Sequence, residues 1–577
     1  MGCGTFMMLA ALVAQAGGAI DADGARRLMA SGRYAEAEEA YDALVEAARK
    51  KPEGLPADLE RSLALGRAEA RAAQGEVDAA VAILEAVEAK EPKAPHVAAK
   101  LSEYHFQRGR WEAADEAVKR ALAIDPDDLL ARWTAARLLE ARGELEKAVA
   151  ACKWFVDRYN EHRRELVEDA EALILIGQAA ERYYRASARG EELADSLNDV
   201  LSEIYEGALK ADPTCWKAPS LEGRLFLSGY AEGKAMKELT RASQINPLAP
   251  EVLVTIGQAD LQGYRLSAGR SKAERALSVN PHYGPAHVLI ADLNISDERF
   301  QDALAASQKA VAANPRDEEA LARLAASCRL LVDPAGAAAA ELTALSNNPR
   351  PATFYAGLAE RLADRRKYFT AERAFLLAAQ ADPVRADVPI GLGMLYMQIG
   401  REDEANALFN ASFAADPFNV RADNMMLVLK HMSAYKALES EHFITTYLPG
   451  QDDLLAKYMS EYLEPVMPEL TAMFGYTPPQ RTKIEIMKDH GWFSGRTVAL
   501  PFSPTVDACT GKVVAMASPR STNKPYNWAR VIKHEFTHVV TLQETEFNIP
   551  HWYTEALAVE SEASPRPQEW NKLLLER

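Results

Sequence analysis

Residues 75–92, GEVDAAVAILEAVEAKEP, and residues 109–126, GRWEAADEAVKRALAIDP, decide the fold of this chain. The second stretch repeats the pattern of the first 34 residues further on: each opens with a glycine, places alanines and bulky residues at helical spacing, and closes with a proline. Small alanines let two helices approach closely, bulky residues fill the gap between them, and the proline ends the second helix. The pattern predicts a repeated helix-turn-helix unit.

The same 34-residue step extends well beyond these two stretches. Gly143 follows Gly109 by a further 34 residues, and the same glycine-led pattern also occurs at Gly32 and Gly400. A longer series of prolines keeps the step over the middle of the chain, at Pro213, Pro247, Pro281, Pro315, Pro349, Pro383 and Pro417. Over roughly residues 25–430 the sequence resembles the tetratricopeptide repeat family. The resemblance implies a superhelical solenoid whose concave groove holds a peptide or a protein partner.

One part of the array departs from the repeat. From Val156 to Asp212 the register breaks, because Pro126 and Pro213 are not separated by a multiple of 34 residues. We interpret this segment as one or two degenerate repeats with an insertion. Elsewhere we expect the aromatic residues of the repeat to pack in the core without a ligand role, namely Tyr34, Trp111 and Phe409.

Composition narrows the class of protein. The 577 residues are 48% hydrophobic and 26% charged, which is typical of a folded soluble chain. The formal net charge of −17 would repel a phosphate backbone, so we expect no nucleic-acid partner. The 5 cysteines are odd in number and widely spaced, and they indicate neither a disulfide framework nor a thiolate metal site.

The amino terminus carries an apolar run from Thr5 to Ala19. It is shorter than the roughly 20 residues that cross a bilayer, so no stable membrane span is predicted. Its length and the small residues Ala14 and Ala16 suit a signal peptide in residues 1–20, although no Lys or Arg precedes it. Two alternatives stay open: an exported bacterial protein, periplasmic or extracellular, or a cytoplasmic protein whose first helix is buried.

After about Met432 the 34-residue period disappears, and the composition shifts away from alanine-rich helices. Residues 483–488 alternate as a half-buried strand does, and residues 511–518 also suggest a strand. The predicted domains are therefore a possible signal peptide at 1–20, a repeat array at 21–430 and a smaller domain at 431–577. The predicted fold class is mostly α, a helical solenoid followed by a smaller α+β domain.

The chemistry is concentrated in a helical stretch that contains His534, Glu535 and His538, an HExxH pattern. The i, i+4 spacing puts both imidazoles on one helix face, where two nitrogens reach one Zn²⁺, and Glu535 lies beside them as a base. A catalytic zinc site needs a third protein ligand. The candidates are Glu544, Glu546, His551, Glu555 and Glu560. A metzincin would need a histidine where Glu544 stands, so that class is excluded.

Glu555 is the favoured third ligand, because it lies in a new apolar helix as Trp552-x-x-Glu555-x-x-Ala558. Here the sequence resembles the gluzincins, most closely the peptidase MA-like family, over about residues 440–577. The resemblance implies a zincin-like zinc metallopeptidase in which His534, His538 and Glu555 bind Zn²⁺ and Glu535 takes the proton of the attacking water. It also implies that residues 512–517 form an edge strand that pairs with the substrate backbone.

Two further roles are considered near the site. Glu560 could hydrogen-bond a ligand imidazole, although a solvated carboxylate is the simpler interpretation. Gluzincins place a tyrosine or histidine that stabilises the tetrahedral intermediate after the third ligand, and this sequence stops at Arg577. We therefore expect that the chain is a fragment, that Tyr553, His551 or Tyr526 substitutes, or that metal is bound without efficient turnover.

Two functions follow. The first is a zinc metallopeptidase that hydrolyses peptide bonds, with a repeat array that binds substrate or partner proteins. The alternative is a protein-interaction scaffold whose zinc domain is structural or catalytically weak. Glu535 favours the first, because a structural zinc site needs no base.

Overall fold

The structure is a computed structural model that describes residues 21–49, 57–94, 96–500, 505–522 and 526–562. The possible signal peptide at residues 1–20 lies outside the described residues. The described chain is mostly helical, with a helical solenoid followed by a small region that contains strands, as the sequence predicted.

Twenty-four of the described α-helices form the solenoid, and a π-helical turn at Val200–Tyr205 links two of them. They are α1 (Ala22–Ala30), α2 (Tyr34–Arg49), α3 (Ala57–Ala73), α4 (Val77–Lys90), α5 (Val97–Gln107), α6 (Trp111–Ile124), α7 (Leu129–Ala141), α8 (Leu145–Leu166), α9 (Ala170–Ser187), α10 (Gly190–Asp199), α11 (Glu206–Ala211), α12 (Lys217–Ser228), α13 (Glu232–Ile245), α14 (Pro250–Gln262), α15 (Leu266–Val279), α16 (Gly284–Ser296), α17 (Phe300–Ala313), α18 (Glu318–Leu330), α19 (Pro334–Asn347), α20 (Ala352–Asp364), α21 (Tyr368–Ala381), α22 (Asp387–Ile399), α23 (Glu402–Ala415) and α24 (Val420–Met432).

The C-terminal region begins with the first strand. Its elements are β1 (Lys436–Glu439), β2 (Phe443–Tyr447), α25 (Asp453–Phe474), β3 (Thr482–Met487), α26 (His490–Val498), β4 (Asp507–Cys509), β5 (Val513–Ala517), a 3-10 turn (Pro519–Ser521), α27 (Trp528–Glu544) and α28 (His551–Ser561). The five described strands form one sheet in the order β1-β2-β3-β5-β4. The central pairs β2·β3 and β3·β5 are parallel, and the outer pairs β1·β2 and β4·β5 are antiparallel.

The prolines of the 34-residue series end helices as predicted. Helix α13 ends at Ile245 and α15 at Val279, in each case two residues before a proline of the series. Proline has no amide hydrogen and disfavours helical backbone at the residue before it, so the helix cannot continue. The core positions are also confirmed, because Tyr34, Trp111 and Phe409 are all buried.

The irregular segment from Val156 to Asp212 is built of longer and additional helices. Helix α8 has 22 residues and α9 has 18, against 13 or 14 in a typical helix of the later repeats. The short helix α10 and the π-helical turn follow. They bury Leu193, Leu197 and Tyr205 in one core with α9, so the inserted residues extend the solenoid.

The solenoid coils back on itself, so that later repeats pack against the turns of earlier ones. The guanidinium of Arg316 pairs with Glu112 at 2.9 Å, and that of Arg350 pairs with Glu146 at 3.0 Å. In each pair the partners are 204 residues apart in sequence. The 34-residue period predicted the repeat unit but not this closure.

The sheet corrects one prediction about the edge strand. Residues 513–517 form β5, which lies between β3 and β4, so residues 512–517 are not the edge. All five residues of β5, VVAMA, are buried, as in an interior strand covered on both faces. Residues 507–509 turn back on β5 through Gly511, whose φ is +81°, and β4 forms the edge.

A buried ionic network joins the solenoid to the sheet. The guanidinium of Arg496 lies 2.6 Å from the fully buried Glu485 carboxylate and donates to the Met397 carbonyl oxygen at 2.9 Å. Lys483 of β3 pairs with Glu402 of α23 at 2.6 Å. Since buried charges must be compensated, these contacts fix how the sheet sits on the last repeats.

Among the described helices, none is both long and apolar enough to cross a bilayer.

Candidate metal centre

The helix α27 presents two faces with different chemistry. Its apolar face packs Phe536, Val539 and Val540 into the core under the sheet. Its opposite face carries His534 and His538. The helix begins after Asn527, whose side chain accepts a hydrogen bond from the Arg530 N–H, an arrangement that satisfies one of the free donors of the first turn. The buried face therefore holds the helix firmly while the imidazoles face the neighbouring helix α28.

Three of the side chains predicted as metal ligands meet at one point. The Nε2 atoms of His534 and His538 are 3.1 Å apart. The two carboxylate oxygens of Glu555 lie 3.3 Å from Nε2 of His534 and 3.3 Å from Nε2 of His538. The structure thus brings Glu555, 17 residues beyond His538 in the chain, directly to the two imidazoles.

These distances and donor types fit zinc. Tetrahedral ligands at bond lengths of about 2.0 Å are separated from one another by about 3.3 Å. The separations of 3.1–3.3 Å match that spacing, and two imidazole nitrogens with one carboxylate form a known catalytic donor set. Three protein donors leave a fourth tetrahedral position for a non-protein ligand.

A chain of hydroxyl groups fixes the tautomer of His538. The Thr541 hydroxyl donates to the Thr537 carbonyl oxygen at 3.0 Å and therefore accepts from the Thr554 hydroxyl at 2.8 Å. Thr554 then accepts from Nδ1–H of His538 at 2.8 Å. With its proton on Nδ1, His538 directs a free lone pair on Nε2 toward the cluster.

His534 is oriented by a carboxylate. Its Nδ1 lies 2.8 Å from Oε1 of the buried Glu562, whose other oxygen lies 2.8 Å from the Arg530 guanidinium. The residue that fills this role is therefore Glu562 and not Glu560, which is exposed on α28. Such a carboxylate fixes the ring and makes the ligand nitrogen more basic.

The base predicted at Glu535 is buried next to the cluster. Burial raises the pKa of its carboxyl to about 8, and the negative charge of Asp507 adds to the shift. Asp507 lies on the edge strand β4, and its own pKa is raised by burial and by Glu555, while His534 opposes the shift. Nothing in the local sequence around the HExxH motif pointed to Asp507, because the fold brings it there from a separate strand.

The cluster holds more negative charge than its imidazoles balance. Burial alone would lower the pKa of His534, but Glu555, Glu535 and Glu562 outweigh it and raise that pKa to about 9. Hydrogen bonds from His534 and His538 hold the pKa of Glu555 well below its ordinary value. Burial lowers the pKa of His538. The site therefore favours a cation at its centre.

The other candidate residues do not join the two imidazoles and Glu555 in the cluster. Glu544 and Glu546 are exposed at the end of α27. His551 places Nδ1 3.6 Å from Glu555 and is largely exposed. The hydroxyl of Tyr526 donates to the Ala517 carbonyl oxygen, and Tyr553 is exposed.

A separate cavity of about 840 Å³ lies inside the coiled solenoid. Its wall mixes cations, acids and aromatic rings, among them Arg137, Lys217, Glu103, Glu251, Tyr104 and Tyr283.

The comparisons concern the repeat array. The model of the tetratricopeptide repeat matches residues 23–95, 65–128 and 99–162. The chain carries tetratricopeptide repeats. A comparison with curated proteins finds no match.

Three solved structures are among those that are similar to this chain. YrrB, described as a TPR protein with an unusual peptide-binding site, is 16% identical, covers 33% of this chain and 97% of its own, and has a TM-score of 0.20. PilF of Pseudomonas aeruginosa is 16% identical, covers 35% of this chain and 92% of its own, and has a TM-score of 0.24. Yeast Tom70 is 13% identical, covers 71% of this chain and 92% of its own, and has a TM-score of 0.33.

Proposed function

We propose that this chain is a zinc metallopeptidase that hydrolyses peptide bonds and that its repeat array binds the substrate or a partner protein. The observation that supports the proposal is the meeting of His534, His538 and Glu555 at zinc-ligand spacing, with Glu535 buried beside them. A purely structural site would need the three ligands but not the base.

Each residue has a defined part in the proposed reaction. His534, His538 and Glu555 would hold the ion. Zn²⁺ bound there would polarise the scissile carbonyl and acidify water. Glu535 would take a proton from the attacking water and pass it to the leaving amine. Glu535 is buried beside His534, which places its carboxylate inside the metal centre, where proton transfer to and from water would take place.

The cavity inside the repeats supports a peptide or protein partner. Its wall carries both signs of charge together with tyrosines, which suits an extended peptide with its alternating donors, acceptors and side chains. A nucleic acid would need a wall dominated by cations. The residues of the cavity that would meet charged side chains include Arg137 and Glu251.

A second candidate is a scaffold whose metal site is structural or catalytically weak. Two contacts beside the cluster favour it. The Tyr526 hydroxyl donates to the Ala517 carbonyl oxygen, and Nδ1 of His551 lies 3.6 Å from the Glu555 carboxylate. The single hydrogen of the Tyr526 hydroxyl is donated to Ala517, so it is not available to a developing oxyanion.

One experiment separates the two candidates. The full chain, Glu535→Gln and the matched control Glu544→Gln are assayed for zinc content and for cleavage of an unfolded protein, with and without a chelator. We expect about one zinc per chain in all three, and chelator-sensitive cleavage that falls by a factor of about 10²–10⁴ only in Glu535→Gln. Zinc without cleavage in the wild type would favour the scaffold.

A further inference from the structure

The connection between α27 and α28 joins the two helices that supply the three candidate ligands. It spans residues 545–550, and two consecutive residues in it, Glu546 and Phe547, have φ of 49° and 61°. This left-handed backbone is unfavourable for residues that carry a Cβ. Backbone hydrogen bonds to the end of α27, such as that from Phe547 N–H to the Leu542 carbonyl oxygen at 2.7 Å, hold part of its shape, and contacts from outside the connection add to them.

Two residues at the start of the solenoid helix α21 make such contacts. The Lys367 ammonium donates to the Phe547 carbonyl oxygen at 2.9 Å and to Oδ1 of Asn548 at 2.5 Å. The ring of the neighbouring Tyr368 packs edge-on against Phe547, with centroids 5.4 Å apart. The connection is thus held by the repeat array and not by the C-terminal region alone.

A third contact comes from the turn between α16 and α17. The carboxylate of Glu298 accepts a hydrogen bond from the His551 N–H, the first residue of α28, at 3.0 Å. The residue before it, Pro550, makes no side-chain capping bond, so Glu298 supplies the cap from 253 residues earlier in the chain. A carboxylate at a helix N-terminus satisfies a free N–H and interacts favourably with the helix dipole.

The contact between Glu298 and α28 is not a general feature of the repeat. The positions equivalent to Glu298 one repeat earlier and one repeat later are Tyr264 and Val332, which share its left-handed backbone. Their side chains are 75% and 79% exposed. Glu298 is held in place by an ion pair with Arg365, which aims its carboxylate at α28.

We propose that the repeat array is part of the metal centre: Glu298 and Lys367 are positioning residues that fix α28, and with it Glu555, relative to His534 and His538. Glu555 lies one helical turn beyond His551, so a displaced cap moves it directly. This inference rests on the proposed function, in which the three side chains bind Zn²⁺.

The test measures zinc affinity of the full chain by competition with a chelating dye. The variants are Glu298→Gln and Lys367→Met. Glu372→Gln is the matched control, because it also breaks an inter-repeat pair with an arginine, Arg401, at a similar side-chain exposure of 25% against 22%. We expect about 10–100-fold weaker zinc binding in the two variants and no change in the control. Wild-type affinity in both variants would overturn the proposal.

A second measurement separates this proposal from the proposed function. If the wild type binds no zinc, the metal assignment fails on its own, and hydrogen exchange of residues 551–561 in the metal-free chain then decides the positioning role. We expect faster exchange there in Glu298→Gln and Lys367→Met than in Glu372→Gln. Equal exchange in all three would overturn the positioning role. Because the two variants remove separate contacts, misfolding of one leaves the other as the test.

Discussion

Asn314 places its side-chain oxygen against Gly109, 205 residues earlier in the chain. A Cβ built on Gly109 would lie 2.4 Å from that oxygen, and the glycine has a φ of +70°. The same contact recurs one repeat to either side, between Gly75 and Asn280 and between Gly143 and Asn348. Repeated glycines and asparagines therefore close the solenoid onto itself.

This contact predicts the effect of adding one methyl group. Gly109→Ala should lower the free energy of unfolding of the array by about 2–4 kcal/mol, because the left-handed backbone costs alanine about 1 kcal/mol and the clash adds about 1–3 kcal/mol. Chemical denaturation followed by circular dichroism measures the change. Asn314→Ala introduced into the Gly109→Ala chain should recover most of the clash component.

A glycine without a neighbour supplies the control for that experiment. Gly450 has a φ of +83° with no heavy atom within 4 Å of a built Cβ. Gly450→Ala should therefore cost only the backbone component of about 1 kcal/mol. An equal cost at both glycines would show that the turns of the solenoid do not touch at Gly109.

The sequence predicted the repeat unit because the packing between neighbouring helices is encoded at a fixed period. The sequence analysis did not predict the closure of the coil. The recurring pairs Asn280-Pro281 and Asn314-Pro315 were the feature of the sequence that could have indicated it. The asparagine contacts depend on how many repeats make one full turn of the solenoid. That number is set by the sum of small rotations between neighbouring repeats, and no single repeat specifies it.

The sequence predicted the part of the candidate site that depends on local helical spacing. His534 and His538 share one helix, so their spacing alone brings them together. Glu562, Asp507 and Glu298 reach the site through tertiary packing, from the end of α28, an edge strand and the solenoid. Their positions depend on the whole fold and not on a local pattern.

The network between solenoid and sheet predicts a large loss of stability. Arg496→Met should destabilise the C-terminal region by about 3–5 kcal/mol, because it removes the main partner of the fully buried Glu485 carboxylate. The control is Arg481→Met, which removes an exposed pair with Glu439 and should cost about 0–1 kcal/mol. Thermal unfolding of both variants measures the difference. An equal drop in the thermal midpoint of the two variants would contradict the network.

A cluster of carboxylates in the solenoid predicts a pH dependence. Burial and the neighbouring Glu206 and Glu238 raise the pKa of Glu222 from 4.5 to about 8. The folded chain therefore keeps a proton that the unfolded chain has lost, and stability falls as pH rises from about 4.5 to about 8 and then levels off. Glu222→Gln should flatten this part of the profile. The readout is the thermal midpoint of both chains between pH 5 and pH 8, and parallel curves would contradict the raised pKa.

The hydroxyl chain behind His538 predicts an effect on metal affinity. Thr554→Val keeps the shape of the side chain but leaves Nδ1–H of His538 without its acceptor. We expect zinc binding about 10-fold weaker or more, measured by chelator competition. Thr497→Val is the control, since that hydroxyl donates to the Phe493 carbonyl oxygen of its own helix, α26. Unchanged affinity in Thr554→Val would show that the tautomer is set in another way.

We propose that His534, His538 and Glu555 together hold one zinc ion. A crystal structure of the full chain at the zinc absorption edge tests it most directly. We predict a single anomalous peak at about 2.0–2.2 Å from Nε2 of both histidines and from a carboxylate oxygen of Glu555. An anomalous map from zinc-supplied crystals with no peak at these three atoms would contradict the claim.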